Sequence, residues 1–168
     1  MLAPVLAYVG LGSNLDGPAA QLRLALAEFT ELQDTRLVAA SPLYRSVPLG
    51  LSDQPDYINA AAALVTRLAP LVLLHALQVI EVRHGRRRDG PRWGPRTLDL
   101  DLLVYGQTCM QTPELTLPHP GIPERSFVLY PLADIAPGLV IPGHGTVEAL
   151  RERCDPHSIA ALREMTHE

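Results

Sequence analysis

Two aspartates separated by one residue, Asp99 and Asp101, are the groups in this chain best suited to chemistry. Across residues 97–104 apolar and polar side chains alternate at period two, the pattern of a strand buried on one face, with Leu98, Leu100 and Leu102 pointing one way. The two carboxylates then point the other way together, where at about 6 to 7 Å and an effective dielectric of about 20 they repel by about 2 to 3 kcal/mol. A hard divalent cation answers that repulsion, because Mg²⁺ takes oxygen ligands and is usually held by one or two carboxylates together with a substrate's phosphates. Arg96, three residues before Asp99, adds a planar fork that fits a pair of phosphate oxygens. An isolated Asp-x-Asp also suits a solvated strand face; the arginines upstream favour metal and phosphate.

Charge is distributed accordingly. The 168 residues carry a net charge of −4 with a pI of about 5.8, unlike a protein that binds nucleic acid or anionic membrane over its whole surface. All fourteen Lys-plus-Arg residues are arginine. Six of them, Arg83, Arg86, Arg87, Arg88, Arg92 and Arg96, fall within fourteen positions where Asp89 is the only acid, a local charge of about +5. Without lysine there is neither a Walker A loop nor the strand lysine of protein kinases, so phosphate must be met by arginine and metal. Cys109 and Cys154 are isolated, which indicates neither a disulfide framework nor a zinc site. With no basic leader and no apolar run approaching a membrane span, the expectation is a cytoplasmic protein with one domain over residues 1–168.

The elements that must position these groups follow from the pattern. Residues 5–11 read as a short apolar strand and Gly10-Leu11-Gly12-Ser13-Asn14 as a turn leaving it. Leu15 stands where a third glycine would be, so close backbone packing suits Gly10-x-Gly12 better than dinucleotide binding. Asn14 or Asp16 is expected to cap a helix that has Pro18 in its first turn and buries Leu22, Leu26, Phe29 and Leu32, reaching about Gln33. A second strand is expected over 37–44, with Pro42 implying an edge or a bulge. After a Pro/Gly-punctuated loop, a third strand over 56–66 carries Tyr57 and Asn59 on one face as its only large polar-tipped groups. Pro70 opens a second helix, with Leu74, Leu77, Ile80 and His84 on one face and Gly85 as its stop; Gln78 and Glu81 neighbour each other on its surface.

Residues 86–95 form an arginine loop framed by glycine and proline. Such a loop beside a metal-binding strand suits closure over a polyphosphate, excluding water and bringing cations to developing charge. Trp93 either covers the site or anchors the loop. Further on, residues 107–117 read as a turn and connection, His119 is held between Pro118 and Pro120, residues 126–129 re-enter apolar structure, and residues 145–168 read as a helical amphipathic tail. The order β, α, β, β, α, β suits an α+β, ferredoxin-like sandwich, a mainly antiparallel sheet with helices packed on it.

Four stretches, Gly10-Leu11-Gly12-Ser13-Asn14-Leu15, Gln54-Pro55-Asp56-Tyr57-Ile58-Asn59-Ala60, Arg92-Trp93-Gly94-Pro95-Arg96-Thr97-Leu98-Asp99-Leu100-Asp101, and Pro118-His119-Pro120 through Arg125-Ser126-Phe127-Val128-Leu129, together resemble the 6-hydroxymethyl-7,8-dihydropterin pyrophosphokinases of folate biosynthesis. The resemblance implies an enzyme that moves the terminal two phosphates of ATP as a unit to the pterin's hydroxymethyl oxygen, leaving AMP. It further implies that Asp99 and Asp101 hold two Mg²⁺ ions, and that Tyr57 and Phe127 sandwich the pterin. Asn59 and the backbone of the loop carrying Ser46, Val47 and Leu49 would bond the pterin's edge. Gln78, Glu81, Arg88, Arg92, Trp93, Arg96, Leu102, His119 and Arg125 would contact ATP, with Arg86 and Arg96 acting on the transferring group. The expected partners are the two small molecules alone, with no nucleic acid, no membrane and a monomeric chain. Two other functions share some of these residues. A two-metal phosphodiesterase or nuclease needs further carboxylates and a longer basic track, and a regulatory binding module has no reason to place two carboxylates on one strand face without metal.

Overall fold

Alternation at period two decides the sheet. The computed structural model describes residues 2–15, 17–46, 56–85, 97–155 and 159–161. In β1 (Val5–Ser13), Ala7, Val9 and Leu11 face one way and Tyr8 the other. A later strand, Tyr57–Thr66, sends Ile58, Ala60, Ala62 and Leu64 to the first face and Ala61 and Ala63 to the second. Strands apolar on both sides must be covered on both sides. These two pair antiparallel along their whole length, from Val5 opposite Thr66 to Ser13 opposite Ile58.

The strand expected over 37–44 is two strands, β2 (Thr35–Ala40) and β3 (Tyr44–Ser46), both paired with the long strand Tyr57–Thr66, hereafter β4. Pro42 has no N–H to give the ladder, and Ser41 bridges the break. Its backbone N–H donates to the Ala61 carbonyl at 2.8 Å, and its hydroxyl accepts the Ala61 N–H at 2.9 Å. On the far side β5 (Asp99–Tyr105) pairs antiparallel with β1.

Helices cover both faces. α1 (Pro18–Phe29) and α2 (Pro70–Arg83) pack on the first face through Leu22, Ala25, Phe29, Leu73, Leu77 and Ile80. Gly17, with a left-handed φ of 68°, starts α1 in place of a side-chain cap, and the helix ends at Phe29 instead of near Gln33, leaving Leu26 and Leu32 half-buried. The end of α2 is tied to α1 by His84, whose Nε2 lies 2.5 Å from Glu28 Oε1 and whose Nδ1 meets Gln21. In the connections β6 (Met110–Gln111) pairs with β7 (Thr116–Leu117). Residues 126–129, expected to re-enter apolar structure, open a helix, α3 (Ser126–Ile135), where the sequence pattern suggests a short helical turn only at 134–137. After a small hairpin of β8 (Val140–Ile141) and β9 (Gly145–Thr146) comes α4 (Val147–Glu152). Val128, Leu129, Leu132, Val147 and Leu150 of α3 and α4 close the second face over Tyr8, Ala61, Ala63, Leu103 and Val104.

The C-terminal stretch, expected as a helical tail, contains a strand as well as a helix. Among its described residues helix is confined to Val147–Glu152, and β10 (Ile159–Ala161) adds to the edge of β3, giving the order β10–β3–β4–β1–β5. An exposed strand edge is a ready template for further pairing, and this one is covered from within the chain. No described helix is long and apolar enough to cross a membrane.

Candidate active site

Strand register brings distant residues into rows. Asn59 of β4 lies opposite Gly12 of β1, and Gly12 lies opposite Asp99 of β5. One row along, Ala61, Gly10 and Asp101 stand in the same relation. Tyr44 and Ser46 of β3 extend the rows beyond Asn59 and Tyr57. Directly opposed residues project to the same face, so Tyr57, Asn59, Asp99 and Asp101 share the face on which α3 packs. With strands about 4.8 Å apart, Asn59 and Asp99 are separated by about 10 Å, and only Gly12 lies between them.

Gly10-x-Gly12 is therefore not a turn; it lies in the C-terminal half of β1 and forms the floor of a site. A Cβ on Gly12 would stand 3.3 Å from Asn59 Nδ2 and 3.9 Å from the Tyr57 ring. Glycine keeps the space between the polar wall and the carboxylates open. The signal was present as two glycines at i and i+2, which share a face only if the strand continues through them.

The polar wall is built from buried groups. Ser46 donates its hydroxyl to Asn59 Oδ1 at 2.6 Å, which sets the amide so that Nδ2 faces Gly12. Both residues are buried, while Tyr57 on the rim is half-buried. Phe127, at the start of α3, is packed against the second core and faces the same side of the sheet. Tyr44 of β3 donates its hydroxyl to Asp134, anchoring α3 to the strand beside Asn59.

The acidic strand is held from behind. Leu98, Leu100 and Leu102 are buried in the first core, so Asp99 and Asp101, both half-buried, face the site as the alternation requires. Leu103 is an extra residue in the β1–β5 register, a bulge that ends the alternation and turns both Leu103 and Val104 into the second core. Glu81 departs from expectation: it is 1% exposed, and its Oε2 accepts the Leu100 N–H at 2.8 Å. This carboxylate caps the edge of β5 between the two aspartates. Ser13 ties the beginning of the strand by donating to the Thr97 carbonyl at 2.5 Å. Leu102 is 2% exposed with its side chain in the core, which leaves only its backbone for a ligand.

A third wall comes from the segment after β7. His119 N–H donates to the Leu103 carbonyl at 2.8 Å, and His119 Nδ1 accepts the Gly121 N–H at 3.0 Å. The neutral ring therefore carries its proton on Nε2. Burial lowers the His119 pKa from its ordinary value, the Arg125 charge lowers it further, and Asp99 acts in the opposite sense. Asp99 and Arg125 thus both lie within electrostatic reach of His119. Arg125 also lies over the Phe127 ring, with Cζ 5.8 Å from the centroid.

Asp99, Asp101, Ser46, Tyr57, Asn59, Phe127, His119 and Arg125 accordingly meet around one face, whereas Glu81, with half-buried Gln78 one turn earlier, lies on α2 at the opposite face. Val47, Leu49, Arg86, Arg88, Arg92, Trp93 and Arg96 lie outside the described residues. Among the described residues no group of three or more His, Cys, Asp or Glu side chains is placed to hold a metal. Two adjacent carboxylates fit a hard cation that completes its shell with substrate oxygens.

The ferredoxin-like α+β sandwich, with an aromatic and amide wall at one end of a glycine floor and paired carboxylates at the other, defines an enzyme-like site able to bring two small molecules together. Residues 8–137 match the family described as 7,8-dihydro-6-hydroxymethylpterin-pyrophosphokinase. A Pseudomonas aeruginosa protein named 2-amino-4-hydroxy-6-hydroxymethyldihydropteridine pyrophosphokinase is 53% identical over 155 residues, covering 92% of this chain and 95% of the relative. A Haemophilus influenzae protein of the same name is 46% identical over 158 residues, covering 94% and 98%. Among solved structures, Plasmodium falciparum HPPK-DHPS, wild type with pteroate, superposes with a TM-score of 0.70 at 14% identity. That likeness speaks for the fold alone; it covers 91% of this chain and 43% of the longer one. The chain belongs to the 7,8-dihydro-6-hydroxymethylpterin-pyrophosphokinase family.

Proposed function

We propose that the chain performs its family's reaction across the glycine floor, with the pterin against Tyr57, Asn59 and Phe127 and the ATP polyphosphate against Asp99 and Asp101. The chain is an ATP-dependent pyrophosphokinase of folate biosynthesis. The pterin's hydroxymethyl oxygen attacks the β-phosphorus of ATP, the bond from that phosphorus to the α,β-bridging oxygen breaks, AMP leaves, and the hydroxyl proton is lost to solvent. Tyr57 and Phe127 stack on the ring, and the amide of Asn59 bonds its edge with the backbone of the loop carrying Ser46, Val47 and Leu49.

Asp99 and Asp101 hold two Mg²⁺ ions, which when bound supply a lowered hydroxyl pKa and offset charge on the polyphosphate. His119 donates from Nε2 and Arg125 supplies a fixed fork to the nucleotide. Gln78, Glu81 and the Leu102 backbone approach ATP from the β5 edge, with one Glu81 oxygen already committed to Leu100. Arg86, Arg88, Arg92, Trp93 and Arg96 complete the ATP site, and Arg86 and Arg96 neutralise charge on the transferring group. The supporting observation is the row Asn59–Gly12–Asp99, which separates a ring wall from a carboxylate pair by about two strand spacings.

We read the protein as a single-domain cytoplasmic monomer that binds no nucleic acid or membrane, in keeping with its free cysteines and net charge of −4. Incubation with ATP, Mg²⁺ and the reduced hydroxymethylpterin should yield AMP in step with pterin diphosphate, and neither when a chelator is added. ADP as the nucleotide product would overturn this reading in favour of single phosphoryl transfer.

A further inference from the structure

Gly121 stands between two of the groups placed on the nucleotide. Its N–H is the hydrogen bond that fixes His119 Nδ1 at 3.0 Å. On its other side, a Cβ built on Gly121 would lie 2.6 Å from both Cζ and Nε of Arg125 and 3.0 Å from Nη1. The guanidinium therefore lies directly against the bare Cα. The backbone does not demand glycine here, since φ −82° and ψ −8° are open to any L-residue. What excludes a side chain is the arginine.

We propose that Gly121 is a positioning residue for ATP binding: its missing side chain seats the Arg125 guanidinium, while its N–H orients His119. The inference rests on the placement of Arg125 and His119 at the nucleotide. A methyl group at position 121 meets the far end of a flexible side chain, so Arg125 moves and the fold stays. An arginine fork matches a phosphate by geometry as well as charge, and a displaced fork loses its paired hydrogen bonds.

Four proteins test this: the parent, Gly121→Ala, Arg125→Ala and the double variant, with binding of Mg²⁺ and an α,β-methylene ATP analogue followed by calorimetry and thermal unfolding recorded alongside. Gly121→Ala should melt at or slightly above the parent temperature, because replacing glycine at a compatible φ restricts the unfolded chain. It should weaken analogue binding by about tenfold or more, tenfold being the lower end for a lost hydrogen bond to a charged group. In the Arg125→Ala background the same substitution should change binding less than about twofold, the signature of coupling through that side chain. Equal weakening in both backgrounds, unchanged binding in Gly121→Ala, or loss of its folding transition would each overturn the proposal. If Arg125→Ala itself leaves binding unaltered, the placement of Arg125 on ATP is what fails.

Discussion

Glu81 gives the sharpest quantitative test of how the acidic strand is held. Its carboxylate is buried and accepts the Leu100 N–H at 2.8 Å, a bond that is itself buried. In Glu81→Ala the Leu100 N–H loses its acceptor at the edge of β5, where an unsatisfied buried donor costs about 1 to 3 kcal/mol. For a chain of 168 residues, about 1 kcal/mol corresponds to roughly 2 to 4 °C of melting temperature, so a loss of about 2 kcal/mol lowers the transition by roughly 4 to 8 °C. Glu81→Gln retains an oxygen acceptor at the same place, so it should lower the transition less than Glu81→Ala does. Thermal unfolding without ligands reads both. Because Leu100 stands between Asp99 and Asp101, the Ala variant should also need several-fold more Mg²⁺ for half-maximal turnover. A Glu81→Ala protein that melts with the parent and fails only in ATP binding would refute the role of this carboxylate in holding the strand.

Three further outcomes are expected. Asp101→Ala should abolish turnover while changing stability by less than about 1 kcal/mol, since the side chain is only half-buried; an unfolded variant would make the aspartate pair structural. Arg86→Ala should lower kcat far more than pterin affinity if, as proposed, it acts on the transferring group, and equal loss of pterin binding would contradict that proposal. The His119 pKa is lowered in the fold, so as pH falls the unfolded chain takes up this proton first. The stability from neutral His119 is thus complete above about pH 6.5 and is lost as pH falls from there through the folded pKa, and His119→Asn should melt with a flatter dependence between about pH 5 and 7. An unchanged slope would remove His119 from that account.

Asp99 and Asp101 were legible because strand periodicity is local: three buried leucines at i, i+2 and i+4 force the aspartates to the other face. Tyr57 and Asn59 stood out for the same reason, as polar groups in an alanine-rich run. Pro42 implied an edge or a bulge in one strand; that the strand instead breaks in two, with both halves on β4 and Ser41 bonded to Ala61, involves a contact across twenty residues. Gly10 and Gly12 read as a turn because glycine commonly marks one; their place in β1 follows from pairing on both sides with β4 and β5. Glu81 reads from its helix spacing as a surface neighbour of Gln78, and its burial goes with an edge N–H on another strand that it accepts. Residues 159–161 lacked a signal of their own, since a three-residue strand exists only where β3 offers an edge. Local chemistry was readable, and what escaped was set by partners far away in the chain.

The central claim, that ring wall and carboxylate pair lie at opposite ends of the Gly12 row, is tested most directly by distance. With Mn²⁺ in place of Mg²⁺, the α,β-methylene ATP analogue and the reduced pterin bound together, paramagnetic relaxation of the pterin nuclei should place the hydroxymethyl group within about 7 Å of the metal. The far edge of the ring should lie about 10 Å away, two strand spacings from Asp99. A pterin beyond about 15 Å, or relaxation unchanged in Asp101→Ala, would contradict the account, because the two substrates would then not meet over this floor.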